Sequence, residues 1–191
     1  MKKLKLQVQV TVDGFNGDPD GNLDWHFAVK WSKDLIDYVN NLTDSCDTIL
    51  LGRKMTDGFI SAWTSQLEDE NNPNYAFAKK MIDTSKVVFS KTLTDSKWAN
   101  TTLATGDLKE DVKRLKNGKG KDIIVYGGTT FVSSLIKDGL IDELHLFINP
   151  VIIGKGTSIF NAIEKAQNLK LIKAIGFECG MALLVYKPSK N

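Results

Sequence analysis

With 191 residues, 42% of them hydrophobic and 25% charged, the chain is long enough for one sizeable core and has ordinary globular composition. Its 25 Lys and Arg against 23 Asp and Glu leave a net charge of only +2, which excludes the basic field that nucleic acid or an anionic membrane surface would select. Cys46 and Cys179 lie far apart with only His26 and His145 to assist them, so neither a disulfide framework nor a metal site is expected, and both cysteines read as small buried apolar residues.

Met1 to Lys5 runs straight into an alternating strand pattern, and no stretch of about 18 apolar residues occurs, so a cytoplasmic protein without a membrane span is expected. Leu4 to Val12 alternates apolar and polar residues with period two and reads as a strand. It ends at Asp13-Gly14, and the Gly-, Asp- and Asn-rich run that follows is a loop closing on Asp24-Trp25-His26. From Ala28 to Asp44, Trp31, Leu35, Tyr38, Val39 and Leu42 make the stripe of an amphipathic helix, with Asp34 and Asp37 off that stripe as candidate proton donors.

Asp47 to Leu51 is a short apolar strand that runs into Gly52-Arg53-Lys54-Met55 and another helix. Cations at a helix start oppose its dipole, so Arg53 and Lys54 are easier to explain as ligands for an anion than as structural choices. A polar, acidic loop over residues 68–74 leads to a short helix, and Lys86 to Thr92 then repeats the pattern, with a strand ending in Ser90 and Lys91. After a strand at Thr101–Ala104, Asp107 is a helix cap with Glu110 at the third position, for a helix that stops at Asn117-Gly118.

Asp122 to Phe131 holds the central signal. A β-branched strand enters Gly127-Gly128 and then a Thr/Ser-rich helix start, where unpaired N–H groups and the absence of Cβ atoms would let a pyrophosphate come close. Parallel strand ends lie on one edge of an open sheet, so the three anion-binding turns are expected to converge. A helix to Asp138, a strand from Ile141 to Pro150, a glycine-rich loop and a hairpin near Leu169–Gly176 and Gly180–Lys187 complete roughly eight strands and four helices in one α/β domain spanning residues 1–191.

Thr11-Val12-Asp13-Gly14, Leu23-Asp24-Trp25, Ile49 to Lys54, Val88 to Leu93, Val125 to Gly128 and Asp142 to Phe160, in that order, resemble the dihydrofolate reductase-like family. The similarity is greatest to its riboflavin-biosynthesis reductase branch (the RibD C-terminal domain) and that branch's free-standing bacterial members. The resemblance implies a three-layer α/β/α fold with a mixed, mostly parallel central sheet and a C-terminal antiparallel hairpin. It implies NADPH as cofactor, held by Gly52, Arg53, Lys54, Met55, Ser90, Lys91 and Thr92 and by Tyr126, Gly127, Gly128, Thr129 and Thr130, with Thr11, Asp13 and Gly14 at the nicotinamide. Trp25, with Pro150 and Val151, is placed at the substrate.

Folate reductases anchor the pterin with an acid on the first helix. The matching position here is Ile36, flanked by Asp34 and Asp37, so the catalytic candidates are Asp34, Asp24 and Asp37, with water as the rival proton source. Met55 stands where the family commonly has Thr, and no zinc deaminase signature is present, which excludes the full bifunctional riboflavin enzyme. Two functions are expected. One is an NADPH-dependent reductase of a pterin, an aminopyrimidine or a related conjugated substrate, with 5-amino-6-ribosylaminouracil reductase or dihydrofolate reductase-like activity. The other is a non-catalytic nucleotide-binding regulatory or tolerance module of the same fold. A homodimer is expected from the branch and from the regularity of the first strand, which would not be left at an open edge.

Overall fold

The computed structural model describes residues 1–189. Its strands β1 (Leu4–Thr11), β2 (Cys46–Gly52), β3 (Ser85–Phe89), β4 (Thr101–Ala104), β5 (Asp122–Val125), β6 (Glu143–Asn149), β7 (Leu169–Gly176) and β8 (Ala182–Pro188) form one sheet in the order β4-β3-β2-β5-β1-β6-β8-β7. Pairing is parallel from β4 through β6 and antiparallel at β6–β8 and β8–β7, so the sheet is mixed and mostly parallel. The helices are α1 (Lys33–Asp44), α2 (Arg53–Ser65), α3 (Tyr75–Asp83), α4 (Leu108–Asn117) and α5 (Thr129–Lys137), together with a 3-10 turn at Asp24–Phe27. Among the described residues five α-helices are present where about four were expected.

Two cores sandwich the sheet. On one face Leu4, Leu6, Val8 and Val10 of β1 pack with Val112 of α4 and Val132 and Leu135 of α5. On the other, Leu35 and Val39 of α1 join Phe147, Leu183 and Val185, and Leu42 and Met81 join Ile49, Leu51 and Ile124. The result is the three-layer α/β/α architecture, with the C-terminal hairpin at one sheet edge. Asp107 caps α4 as read from the sequence, its carboxylate accepting from the N–H groups of Lys109 and Glu110.

Three expectations change. Helix α1 starts at Lys33 rather than near Ala28, because Ser32 is extended (ψ 162°) and Trp31 packs against the core as part of an irregular strap. Cys46 is buried, but Cys179 is only half-buried in the β7–β8 turn. The most consequential change is the position of β1, which lies between β5 and β6 in the middle of the sheet, so it cannot supply the open edge invoked for a dimer. Its apolar face fills the core, while Gln7 and Gln9 face the α1 side beside His145 and Phe147 of β6, their register partners. Among the described residues no helix is long and apolar enough to cross a membrane.

Candidate functional site

Two cavities open beside the ends of the central strands. The first, about 470 Å³, is a groove lined by Gly52, Arg53, Lys54, Met55, Phe89, Gly128, Thr129, Thr130, Phe131 and Ser134. It is formed by two glycine turns on the paired strands β2 and β5, each of which delivers the chain into the first turn of a helix, α2 or α5. Gly128 has φ 84° and ψ 91°, in the region that L-residues avoid, and a Cβ there would lie 3.4 Å from the Met55 sulfur. At Gly52 a Cβ would come within 2.9 Å of Phe131 Cβ, so glycine is what allows the two turns to pack together. The first N–H groups of both helices are therefore presented at one groove, and Arg53 and Lys54 are exposed on its wall. This is a cradle a phosphate-bearing cofactor fits.

The remaining expected cofactor residues are placed differently. Ser90 is buried and its hydroxyl accepts from the N–H groups of Thr92 and Leu93, closing its own turn; Lys91 donates to the Gly106 carbonyl at 3.0 Å; neither these nor Thr92 line the groove. Thr11 donates to Asp13 at 2.5 Å, and Asp13 accepts from the N–H groups of Ile153 and Gly154, which holds its carboxyl below the usual range. Asp13 thus fastens the turn at Gly14 to the loop after β6. Pro150 and Val151 belong to that fastening, the Val151 carbonyl accepting from the Val12 N–H, and they do not line the substrate-sized cavity. Thr129 does face the groove, and its hydroxyl accepts from the Asn16 amide at 3.0 Å.

The second cavity, about 600 Å³, is lined by Trp31, Phe59, Trp63, Phe77 and Tyr126, by the aliphatic side chains of Ile36 and Val39, and by the polar Gln7, Gln9, His26, Asn40 and Asn74. Met55 lines both cavities and separates them. Tyr126 therefore belongs to this pocket and not to the groove. Its hydroxyl is spent on Thr43 at 3.0 Å, and burial raises its pKa. Trp25 does not line this pocket; it packs edge-on to the His26 ring with centroids 4.1 Å apart. Burial pushes the His26 pKa down to about 4, so its imidazole is neutral.

The three acids expected at the substrate are not in this pocket. Asp34 accepts from Ser32 Oγ at 2.5 Å and from the N–H groups of Leu35 and Glu178, with the serine bond the main reason its pKa is lowered, and so pins the start of α1 to the β7–β8 turn. Asp37 pairs with Lys33 one helical turn away on the exposed face. Asp24 is exposed at the start of the 3-10 turn. Helix α1 turns Ile36, Val39 and Asn40 to the pocket instead, as the 3.6-residue period requires once that face is fixed.

The model of the RibD C-terminal domain matches residues 2–183. The chain belongs to the RibD C-terminal domain family. It is 31% identical over 97% of its length to the uncharacterized protein YyaP of Bacillus subtilis, of which it covers 94%. A candidate riboflavin-biosynthesis protein of Shewanella sp. PV-4 superposes with a TM-score of 0.77 at 22% identity, with both chains fully covered. A bifunctional diaminohydroxyphosphoribosylaminopyrimidine deaminase/5-amino-6-(5-phosphoribosylamino)uracil reductase of Thermotoga maritima gives 0.70 at 17% identity, over 98% of this chain and 57% of that one.

Within this RibD-type fold, the pocket residues that sequence reading did not assign to the substrate include Gln7, Gln9, His26, Trp31, Asn40, Phe59, Trp63, Asn74 and Phe77, while Ile36 lies at the position that reading matched to the pterin anchor. One signal was available for two of them. Glutamines at alternate positions of a strand are costly if that strand is buried on both sides, unless they line a site.

Proposed function

We propose that the protein is an NADPH-dependent reductase of a small conjugated ring compound. The observation that carries this reading is the shared wall at Met55, which brings a groove suited to phosphates against a pocket suited to a flat ring. NADPH, when bound, would supply the hydride. The first turns of α2 and α5 and the cations Arg53 and Lys54 would hold its phosphates through charge-assisted hydrogen bonds. Trp31, Phe59, Trp63 and Phe77 would stack on the substrate ring and exclude water, while Gln7, Asn40 and Asn74 would set its orientation. With no carboxyl lining the pocket and His26 neutral, water is the proton source in this reading.

Following NADPH absorbance in the presence of a panel of pteridines and aminopyrimidines tests the proposal. Oxidation dependent on at least one of them is expected; tight nucleotide binding with no turnover on any would favour a non-catalytic nucleotide-binding module. We also propose a homodimer, now through the open edge at β7, where Leu171 and Ile172 are 49% and 48% exposed. Light scattering should give twice the 21.2 kDa chain mass, and a mass of one chain at micromolar concentration rules the dimer out.

A further inference from the structure

We infer that the ring compound taken by the aromatic pocket is uncharged and unphosphorylated, with carbonyl and N–H groups on its edge, unlike the phosphoribosylated aminouracil in the name of the Thermotoga maritima relative. This rests on the reductase reading and narrows its substrate. Among the described residues, every side chain lining the pocket is uncharged, and its one imidazole is kept neutral by burial. A phosphate dianion buried beside such walls would lack the cation it needs.

Asn74 and Ala76, at the start of α3, form an uncharged part of the wall. Arg53 and Lys54 line the other cavity and are absent from this one. What the pocket does offer is neutral dipoles. Gln7 Oε1 and His26 Nε2 are buried without a hydrogen-bond partner, and both residues line the wall. Both atoms are closed off from solvent behind the wall, so a turn of the Gln7 or His26 side chain brings them to the edge groups of a lactam or amide ring, one accepting and one donating according to the imidazole tautomer.

The test compares 5-amino-6-(5-phosphoribosylamino)uracil with the same compound after removal of its phosphate, each with the whole protein and NADPH. Calorimetric binding is measured alongside NADPH oxidation, so that a result follows even without turnover. The dephosphorylated compound is expected to bind at least about tenfold more tightly and, where reduced, to show a kcat/KM higher by a similar factor. Equal or tighter binding of the phosphate ester overturns the inference, as does failure of both compounds and of free pteridines to bind. Binding of the neutral ring without NADPH oxidation leaves the selectivity intact and counts against the reductase reading alone, so the two failures are distinct.

Discussion

The glycine groove and the aromatic pocket meet at Met55, yet they are built from different parts of the chain. The groove is largely main chain: two strand–glycine–helix turns, each contiguous in sequence, supply N–H groups whose directions follow from backbone geometry. The pocket is side chains from β1, the strap before α1, α1 itself, α2, α3 and the residue after β5. A site made of backbone is carried by a short motif and tolerates change around it, whereas a site made of side chains depends on every element that contributes one. The groove is therefore suited to a ligand common to many enzymes, and the pocket to one particular to this chain.

The largest separation of the two should come from Gly128→Ala. Placing a Cβ at φ 84° costs on the order of 1–3 kcal/mol and presses on the Met55 sulfur, so NADPH affinity measured by calorimetry should fall by about tenfold or more. Ring binding in the pocket should change far less; an equal loss in both would show that the cavities are not independent. Arg53→Ala and Lys54→Ala should weaken nucleotide binding by a comparable amount, up to about 1.5–3 kcal/mol each on the proposed phosphate contacts, without reshaping the turns. If either cation holds the 2′-phosphate, the loss appears with NADPH and not with NADH. Lys91→Ala should do little to either, because Lys91 is committed to the Gly106 carbonyl.

Acidification should act on the pocket first. Burial lowers the His26 pKa from 6.5 to about 4, so between those values the unfolded chain takes up a proton that the folded ring refuses. The stability associated with the neutral ring is complete above about pH 6.5 and is lost as pH falls toward 4. Thermal melts should show a decline over this window that His26→Gln reduces, and a wild-type melting temperature constant from pH 7 to pH 4 would contradict it. The smallest kinetic effects are expected from Asp34→Asn and Asp37→Asn. With turnover established, both should leave kcat/KM unchanged, and Asp34→Asn should lower only the melting temperature by loosening the start of α1.

The sequence by itself determined the order of the strands and helices, the capped start of α4, the two glycine turns and the family, because each is written in neighbouring residues whose spacing and backbone preferences act locally. The groove was legible for the same reason at Gly52 to Met55 and at Gly128 to Thr130. What tertiary structure decided was the order of strands in the sheet. A period-two pattern such as Leu4 to Val12 reads alike in an edge strand and in a central strand with a site on one face, so only the burial of β1 between β5 and β6 turned Gln7 and Gln9 into a pocket wall. Likewise, the two acids flanking Ile36 are equivalent in sequence until α1 packs on the sheet. Packing sent Ile36 to the pocket, Asp34 to the neighbouring turn and Asp37 to water, because a helix can bury only one face at a time.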